Sequence, residues 1–171
     1  MKMKQISMEK VTVNVCLGND QERINKTLTL LQSLTGAKPI KTLAKKRIPT
    51  FDIRPGLPIG AKVTLRGEKA TKLLKRLLEA IENTLTKSHF DDGTLSFGID
   101  EYIKIPDSKY DVELGIIGLS VSVTLKRPGF SLKNRRIRPS KIPIKHRISK
   151  QETMDFMKEN FKTNLGDEDE L

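Results

Sequence analysis

Three stretches of strict two-residue alternation restrict this chain more than any other feature. Val11, Val13, Val15 and Leu17 alternate with Thr12, Asn14 and Cys16. Ala61, Val63 and Leu65 alternate with Lys62, Thr64 and Arg66, and Leu119, Val121, Val123 and Leu125 with Ser120, Ser122, Thr124 and Lys126. Successive strand side chains point to opposite faces, so each row describes a strand with one buried and one open face. The buried face needs a second layer, and two helical stripes supply it. Ile24, Leu28, Leu31 and Leu34 predict a helix over about 20–35, with Asn19 or Asp20 as its cap and Gly36 as its stop. Ala70, Leu73, Leu74, Leu77, Leu78, Ile81 and Leu85 predict a stronger one over about 68–86. The expected fold class is α+β: a mainly antiparallel sheet with two amphipathic helices packed on one face.

The remaining segments fit around that frame. Residues 1–9 show no period and are expected as a flexible basic terminus, and 38–43 as a second strand. Asp91–Asp92–Gly93 marks a turn, after which Leu95, Phe97 and Ile99 alternate; Ile103 and Ile105 prolong an irregular extended stretch to Pro106. Ser149–Lys150–Gln151–Glu152 has capping-box spacing, and Met154, Met157 and Phe161 predict a short C-terminal helix behind it. Neither an internal repeat nor a low-complexity linker interrupts the chain. It is expected to form a single domain over 1–171: a core at about 8–126, a basic extended segment at 126–150, and a short helix with an acidic tail at 151–171.

Between strands two and three lies a long basic loop, 44–60, with three prolines and two glycines in 17 residues. That composition forbids a helix and interrupts a central strand. A structureless connection of this length is uncommon inside a compact domain and is usually functional or disordered. Lys45, Lys46, Arg47 and Arg54 face one acid, Asp52, and Phe51 follows the basic run. Cations and a stackable ring on a proline-stiffened arm suit a polyanion with exposed bases. The alternative is a solvated loop with Phe51 tucked onto the core.

Charge narrows the partners. Lys and Arg outnumber Asp and Glu 32 to 21, for a net charge of +11, which favours nucleic acid over acidic membrane surfaces. Lys126 to Lys150 carries ten Lys or Arg and no acid, whereas Asp167–Glu168–Asp169–Glu170 forms an acidic end expected to fray. The single cysteine, Cys16, excludes an internal disulfide framework and fits a reducing, cytosolic compartment. No apolar run approaches the roughly 18 residues a membrane span needs, and the N-terminus lacks a signal-peptide core.

The open sheet face is unusual in what it carries. Thr12, Asn14, Thr64, Ser120, Ser122 and Thr124 are short donors and acceptors, interspersed with the cations Lys62, Arg66 and Lys126. Short polar side chains let a large rigid surface approach closely and can bond phosphates and 2′-hydroxyls. Paired aromatics for stacking single bases are missing, so shape-driven RNA binding is favoured over a merely solvated face. Catalytic constellations are not apparent. His89 and His146 stand apart without ligands at metal spacing, and His146 in Lys145–His146–Arg147 suits a phosphate contact. Asp91–Asp92 is simplest as a turn, and Gly56 and Gly60 form no phosphate-loop pattern. No enzyme activity, metal or cofactor is expected.

The residues also carry a family resemblance. Glu9–Lys10–Val11–Thr12–Val13–Asn14–Val15 before a glycine, Leu34–Thr35–Gly36–Ala37–Lys38–Pro39 and Phe51–Asp52–Ile53–Arg54 are followed by Pro58–Ile59–Gly60–Ala61–Lys62–Val63–Thr64–Leu65–Arg66–Gly67. Phe97–Gly98–Ile99, Tyr110–Asp111 and Gly118–Leu119 continue in one register. Together these resemble the universal large-subunit ribosomal protein five family, number eleven in eukaryotes, which binds 5S ribosomal RNA. Arg127–Pro128–Gly129–Phe130–Ser131 and Lys145–His146–Arg147–Ile148–Ser149 resemble its archaeal and eukaryotic branch, and short termini favour an archaeal type.

The resemblance implies a constituent of the large ribosomal subunit in the central protuberance, a monomer within the cytoplasmic ribosome with no membrane contact. It implies 5S rRNA binding by Thr12, Asn14, Lys38, Lys62, Thr64 and Arg66, with Ser120, Ser122 and Thr124 on the same face. Lys45, Lys46, Arg47, Phe51 and Arg54 would reach peptidyl-site (P-site) tRNA. Lys133, Arg135, Arg136, Arg138, Lys145, His146 and Arg147 would contact other large-subunit rRNA, and ribosomal protein eighteen would be a neighbour. Two positions depart from the family pattern. Leu43–Ala44–Lys45 stands where many members have Lys-Ala-Arg, exchanging a guanidinium fork for a point charge, and Ala37 replaces a common glutamine. A soluble RNA-binding translation or ribosome-assembly factor is the alternative reading, and an RNA-processing enzyme a more distant one.

Overall fold

The computed structural model of the chain describes residues 2–18, 20–106, 108 and 115–166. Asn19, the Tyr110–Asp111 pair and the Asp167–Glu170 tail lie outside those residues. Eight strands and four helices follow one another in the described chain: β1 (Ser7–Cys16), α1 (Gln21–Thr35), β2 (Ile40–Leu43), β3 (Pro58–Leu65), α2 (Glu68–Glu79), β4 (Thr84–Thr86), β5 (Phe90–Asp91), β6 (Thr94–Ile99), β7 (Leu119–Lys126), α3 (Ser131–Asn134), α4 (Lys150–Phe161) and β8 (Asn164–Gly166). Six strands make one antiparallel sheet in the order β2-β3-β1-β7-β6-β5. The first strand is thus central, paired to β3 on one side and β7 on the other.

The alternating rows behave as their period demands. Val11, Val13 and Val15 of β1, Val63 of β3, Val121 and Val123 of β7 and Phe97 of β6 are all buried in one cluster with Leu31 of α1 and Leu74 and Leu77 of α2. Helix α1 lies against β3 and α2 against β1, so both cover the same face. Each α1 terminus is fixed by local chemistry. The Asp20 side chain accepts from the Arg23 N–H (3.1 Å), and Gly36 takes the left-handed conformation (φ 64°) that closes the C-terminus. Gly60 is a packing requirement: a Cβ there would stand 2.2 Å from the Val15 carbonyl oxygen and 3.0 Å from Thr42 Oγ1, so only glycine lets β3 lie this close to both neighbours.

Several expectations need correction. Of the terminus expected to be flexible, Lys2–Lys4 form a 3₁₀ turn and residues 7–9 already belong to β1, which begins at Ser7. Its pairing with β7 shifts register between Met8 and Lys10, and that bulge is why the segment shows no period. Helix α2 stops at Glu79 rather than near 86. Glu82 and Asn83 both take positive φ (54° and 56°), which unwinds the chain and delivers Leu85 to the core from strand β4 instead. The stretch expected to run extended to Pro106 turns through a 3₁₀ segment, Tyr102–Lys104, which buries Tyr102 completely. Nothing in the alternation pattern announced β8, three residues that pair in parallel with β4, Thr84 opposite Asn164 and Thr86 opposite Gly166.

The C-terminal helix is as its capping box foretold. Ser149 Oγ accepts from the Glu152 N–H, and the Glu152 carboxylate accepts from the Ser149 N–H (2.9 Å). Met157 is buried, and Thr153 pins the helix to the β5–β6 turn. Its hydroxyl oxygen accepts from the Gly93 N–H (3.2 Å), while the hydroxyl lies 3.0 Å from the Ser149 carbonyl and 3.4 Å from that of Asp91.

Candidate nucleic-acid interface

The sheet face turned away from α1 and α2 is open. Ser96 and Ser122 pair across β6 and β7, Ser122 and Thr12 across β7 and β1, and Thr12 and Thr64 across β1 and β3. Four hydroxyls therefore stand in one row across four strands, about 14 Å from end to end at the usual interstrand spacing. Neighbours in the row touch: Ser96 Oγ lies 3.2 Å from Ser122 Oγ, and Thr12 Oγ1 3.4 Å from Thr64 Oγ1. A second row, Gly98–Ser120–Asn14–Lys62, runs alongside it, and Thr124 sits beside Lys10 and Thr94 beyond the first. Hydroxyls rotate to donate or accept as required, so this surface can meet phosphate and ribose oxygens without rearranging.

Ser96 and Gly98 belong to this surface yet were not among the sequence candidates. The signal was present, because Ser96 alternates with the buried Leu95 and Phe97 by the same rule that exposed Ser122. His89 is a different matter. It follows β4 in a 3₁₀ turn and lines a shallow depression with Thr12, Asn14, Ser96, Gly98 and Ser120. Its Nδ1 accepts the Thr86 N–H (3.2 Å), which leaves Nε2 to carry the proton. Only the three-dimensional fold brings it to this face.

The cations of the face are at its margin. Lys62 and Arg66 are exposed, and Arg66 Nη1 lies 3.4 Å from Glu9 Oε1 in a solvent-exposed pair. Ile40 pairs with Lys62 and so shares the open face, and Lys38 is exposed two residues before it.

The 44–60 connection is a folded arm. Strand β3 starts within it at Pro58, and residues 44–57 form a hairpin closed by backbone bonds. Ala44 N–H donates to Leu57 O (2.8 Å), Gly56 N–H to Ala44 O (2.9 Å) and Ile48 N–H to Ile53 O (2.9 Å). Asp52 takes a left-handed conformation (φ 51°) after the 3₁₀ turn Pro49–Phe51, and Ile53 is buried. Phe51 is 68% exposed, so the alternative that tucked it onto the core is overturned. Lys45, Lys46, Arg47 and Arg54 are all exposed on the same arm.

The basic segment after β7 is organised by one buried cation. Arg127 is 5% exposed; its Nη1 donates to the carbonyls of Arg147 (3.1 Å) and His146 (3.4 Å), and its Nη2 to Glu152. The Glu152 pKa is lowered chiefly by the backbone hydrogen bond from Ser149, and further by the Arg127 hydrogen bond and charge, against an opposing effect of burial. His146 is half-buried, its Nε2 donating to the Pro128 carbonyl (3.0 Å) and its ring edge-on to Phe130 at 5.8 Å. These two residues fold the segment back, leaving Lys133, Arg135, Arg136, Arg138, Lys145 and Arg147 exposed. Arg135 Nε also donates to Arg138 O (2.6 Å).

Among the described residues, no cluster of three His, Cys, Asp or Glu side chains is placed to hold a metal, and no helix is long and apolar enough to cross a membrane. Two family models match the chain: Ribosomal protein L5 over residues 2–54, and the C-terminus of the same ribosomal protein family over 58–156. Its relatives include proteins named large ribosomal subunit protein uL5 from three archaea. That of Nanoarchaeum equitans is 51% identical over 92% of this chain and 94% of its own. That of Sulfurisphaera tokodaii is 47% identical (95% and 93%), and that of Methanobrevibacter smithii 44% (95% and 96%). Matches of this extent, on a chain with a six-stranded antiparallel sheet under two helices, place it: the chain belongs to the ribosomal protein L5 family, in its archaeal form.

Proposed function

We propose that this chain anchors 5S rRNA through its open sheet face, contacts other large-subunit rRNA through 126–150, and reaches P-site tRNA with the 44–57 arm. As a member of the ribosomal protein L5 family it is a structural, non-enzymatic constituent of the large ribosomal subunit and works in the cytoplasmic ribosome. The observation that carries the 5S reading is the four-strand hydroxyl row, flanked by Lys62 and Arg66 and free of bulky side chains. A place in the central protuberance and ribosomal protein eighteen as a neighbour belong to the same proposal. So does a single domain, which the insertion of the first strand between β3 and β7 supports.

Equilibrium titration tests the anchor. The protein is expected to bind 5S rRNA in the nanomolar range, at least a hundredfold more tightly than an unrelated structured RNA of equal length. Its affinity should fall steeply with salt as neutralised phosphates release their counterions. Equal affinity for both RNAs would sink the reading. The arm is tested separately. Replacing Lys45, Lys46 and Arg47 together with Ala should leave 5S binding within about threefold, because none of the three belongs to the rows of the open face. It should weaken tRNA retention in the peptidyl site of reconstituted ribosomes, and parallel losses in both assays would show that the two surfaces do not divide the work.

A further inference from the structure

A well-formed cleft in the described structure lies not on the hydroxyl row but beside it. It occupies about 730 Å³, within the roughly 300–1,000 Å³ typical of ligand sites, where the 130–148 segment folds over Lys10, Thr94 and Thr124. Its walls have two characters. Phe130, Ile142 and Ile148 supply apolar surface, whereas Lys10, Lys133, Lys141 and Arg147 supply positive charge. Lys133, Lys141 and Arg147 are exposed, and among the described residues none of the four cations is ion-paired. Of the two carboxylates that line it, Glu9 is paired with Arg66 and Asp92 is exposed to solvent.

We infer that this cleft receives one unpaired ribonucleotide of the bound ribosomal RNA, its base against the apolar walls and its phosphate among the lysines. Three observations converge on that occupant. The cleft continues the open face without a break, because Thr124 and Thr94 belong to the same side of β7 and β6 as Ser122 and Ser96. An RNA lying along the hydroxyl rows would therefore carry its backbone to the mouth. Apolar walls beside unpaired cations match a nucleotide, which joins a flat base to an anion; a duplex could offer only the anion. Finally, Arg127 and His146 hold the overlying segment in place through internal bonds, so the pocket exists before RNA arrives. The inference rests on the rRNA-binding reading for the source of the nucleotide, but the cleft can be tested without it.

Two-dimensional amide NMR of the full chain, titrated with adenosine 5′-monophosphate and, separately, with ribose 5-phosphate, isolates the contribution of the base. The nucleotide should shift the amides of Gly93, Thr124 and Ile148 and bind at least tenfold more tightly than the sugar phosphate, as expected for one sheltered base. Lys141→Ala, an exposed change, should weaken the nucleotide about threefold. Equal affinity for the two probes would reduce the cleft to an anion patch and overturn the proposal, as would nucleotide shifts confined to the amides of Thr12 and Ser122. Wild-type protein that binds 5S rRNA but fails the nucleotide titration loses the cleft alone. Failure to bind 5S rRNA with the titration intact would remove the rRNA reading and leave the nucleotide site standing.

Discussion

Replacing Ser122 with Glu is expected to weaken 5S rRNA binding about a hundredfold while leaving the melting temperature within about 2 °C of the parent. Ser122 is the second member of the hydroxyl row, 3.2 Å from Ser96 Oγ and directly across from Thr12. If the open face binds RNA as proposed, a carboxylate at its centre sets like charges side by side, which costs several kcal/mol, and about 2.7 kcal/mol corresponds to a hundredfold. Its length would also hold the RNA away from the shorter hydroxyls around it. The fold has little reason to respond, because the side chain projects from the uncovered face. Ser122→Ala separates the two contributions: losing one hydroxyl should cost less than about fivefold. Filter binding measures both variants, and a Ser122→Glu protein that binds 5S rRNA as tightly as the parent would remove the open face from the interface.

Arg127→Leu should produce the largest stability loss of any single change outside the core. The guanidinium is almost fully buried and serves the carbonyls of His146 and Arg147 as well as Glu152. Removing one partner of such a network costs about 3–5 kcal/mol, or roughly 6–20 °C in melting temperature for a chain of this size. The acid side of the stability profile should change as well. Glu152 has a lowered pKa in the folded state, so it contributes stability at neutral pH that is lost as pH falls from the ordinary glutamate value through the depressed one. Without Arg127 part of that depression disappears, so the variant should lose less of its remaining stability over the same acid range. A calorimetric series between neutral and acid pH checks both statements. A melting temperature unchanged by Arg127→Leu would mean that the basic segment is held by something other than this network.

How much could be read from residues alone differs by scale. The inward rows of β1, β3 and β7 were legible because a period of two leaves little freedom once one face is buried. The Asp20, Gly36 and Ser149 signals were legible because capping is local chemistry. Helix α2 misled because Leu85 continues its spacing by coincidence; positive φ at Glu82 and Asn83 has no hydrophobic signature, and asparagine is a weak pointer to it. Strand β8 was invisible, since three residues carry no period and their partner lies about 80 residues away. For the same reason the role of Arg127 was hidden: the sequence shows one cation among ten, and only the fold turns that one inward. His89 joins the open face through a turn whose position depends on tertiary packing.

The central position of β1 has a consequence for how the chain is made. Its two partners emerge at very different times, β3 some 45 residues after it and β7 more than 100 after it. A growing chain can assemble β1, β2 and β3 with α1 early, but until β7 leaves the exit tunnel one side of β1 keeps its N–H and C=O groups unpaired. A bare edge of alternating valines is a template for adventitious strand addition. Newborn copies therefore pass through an interval in which self-association competes with completion of the sheet. The strand most protected in the finished protein is the one most vulnerable during its synthesis.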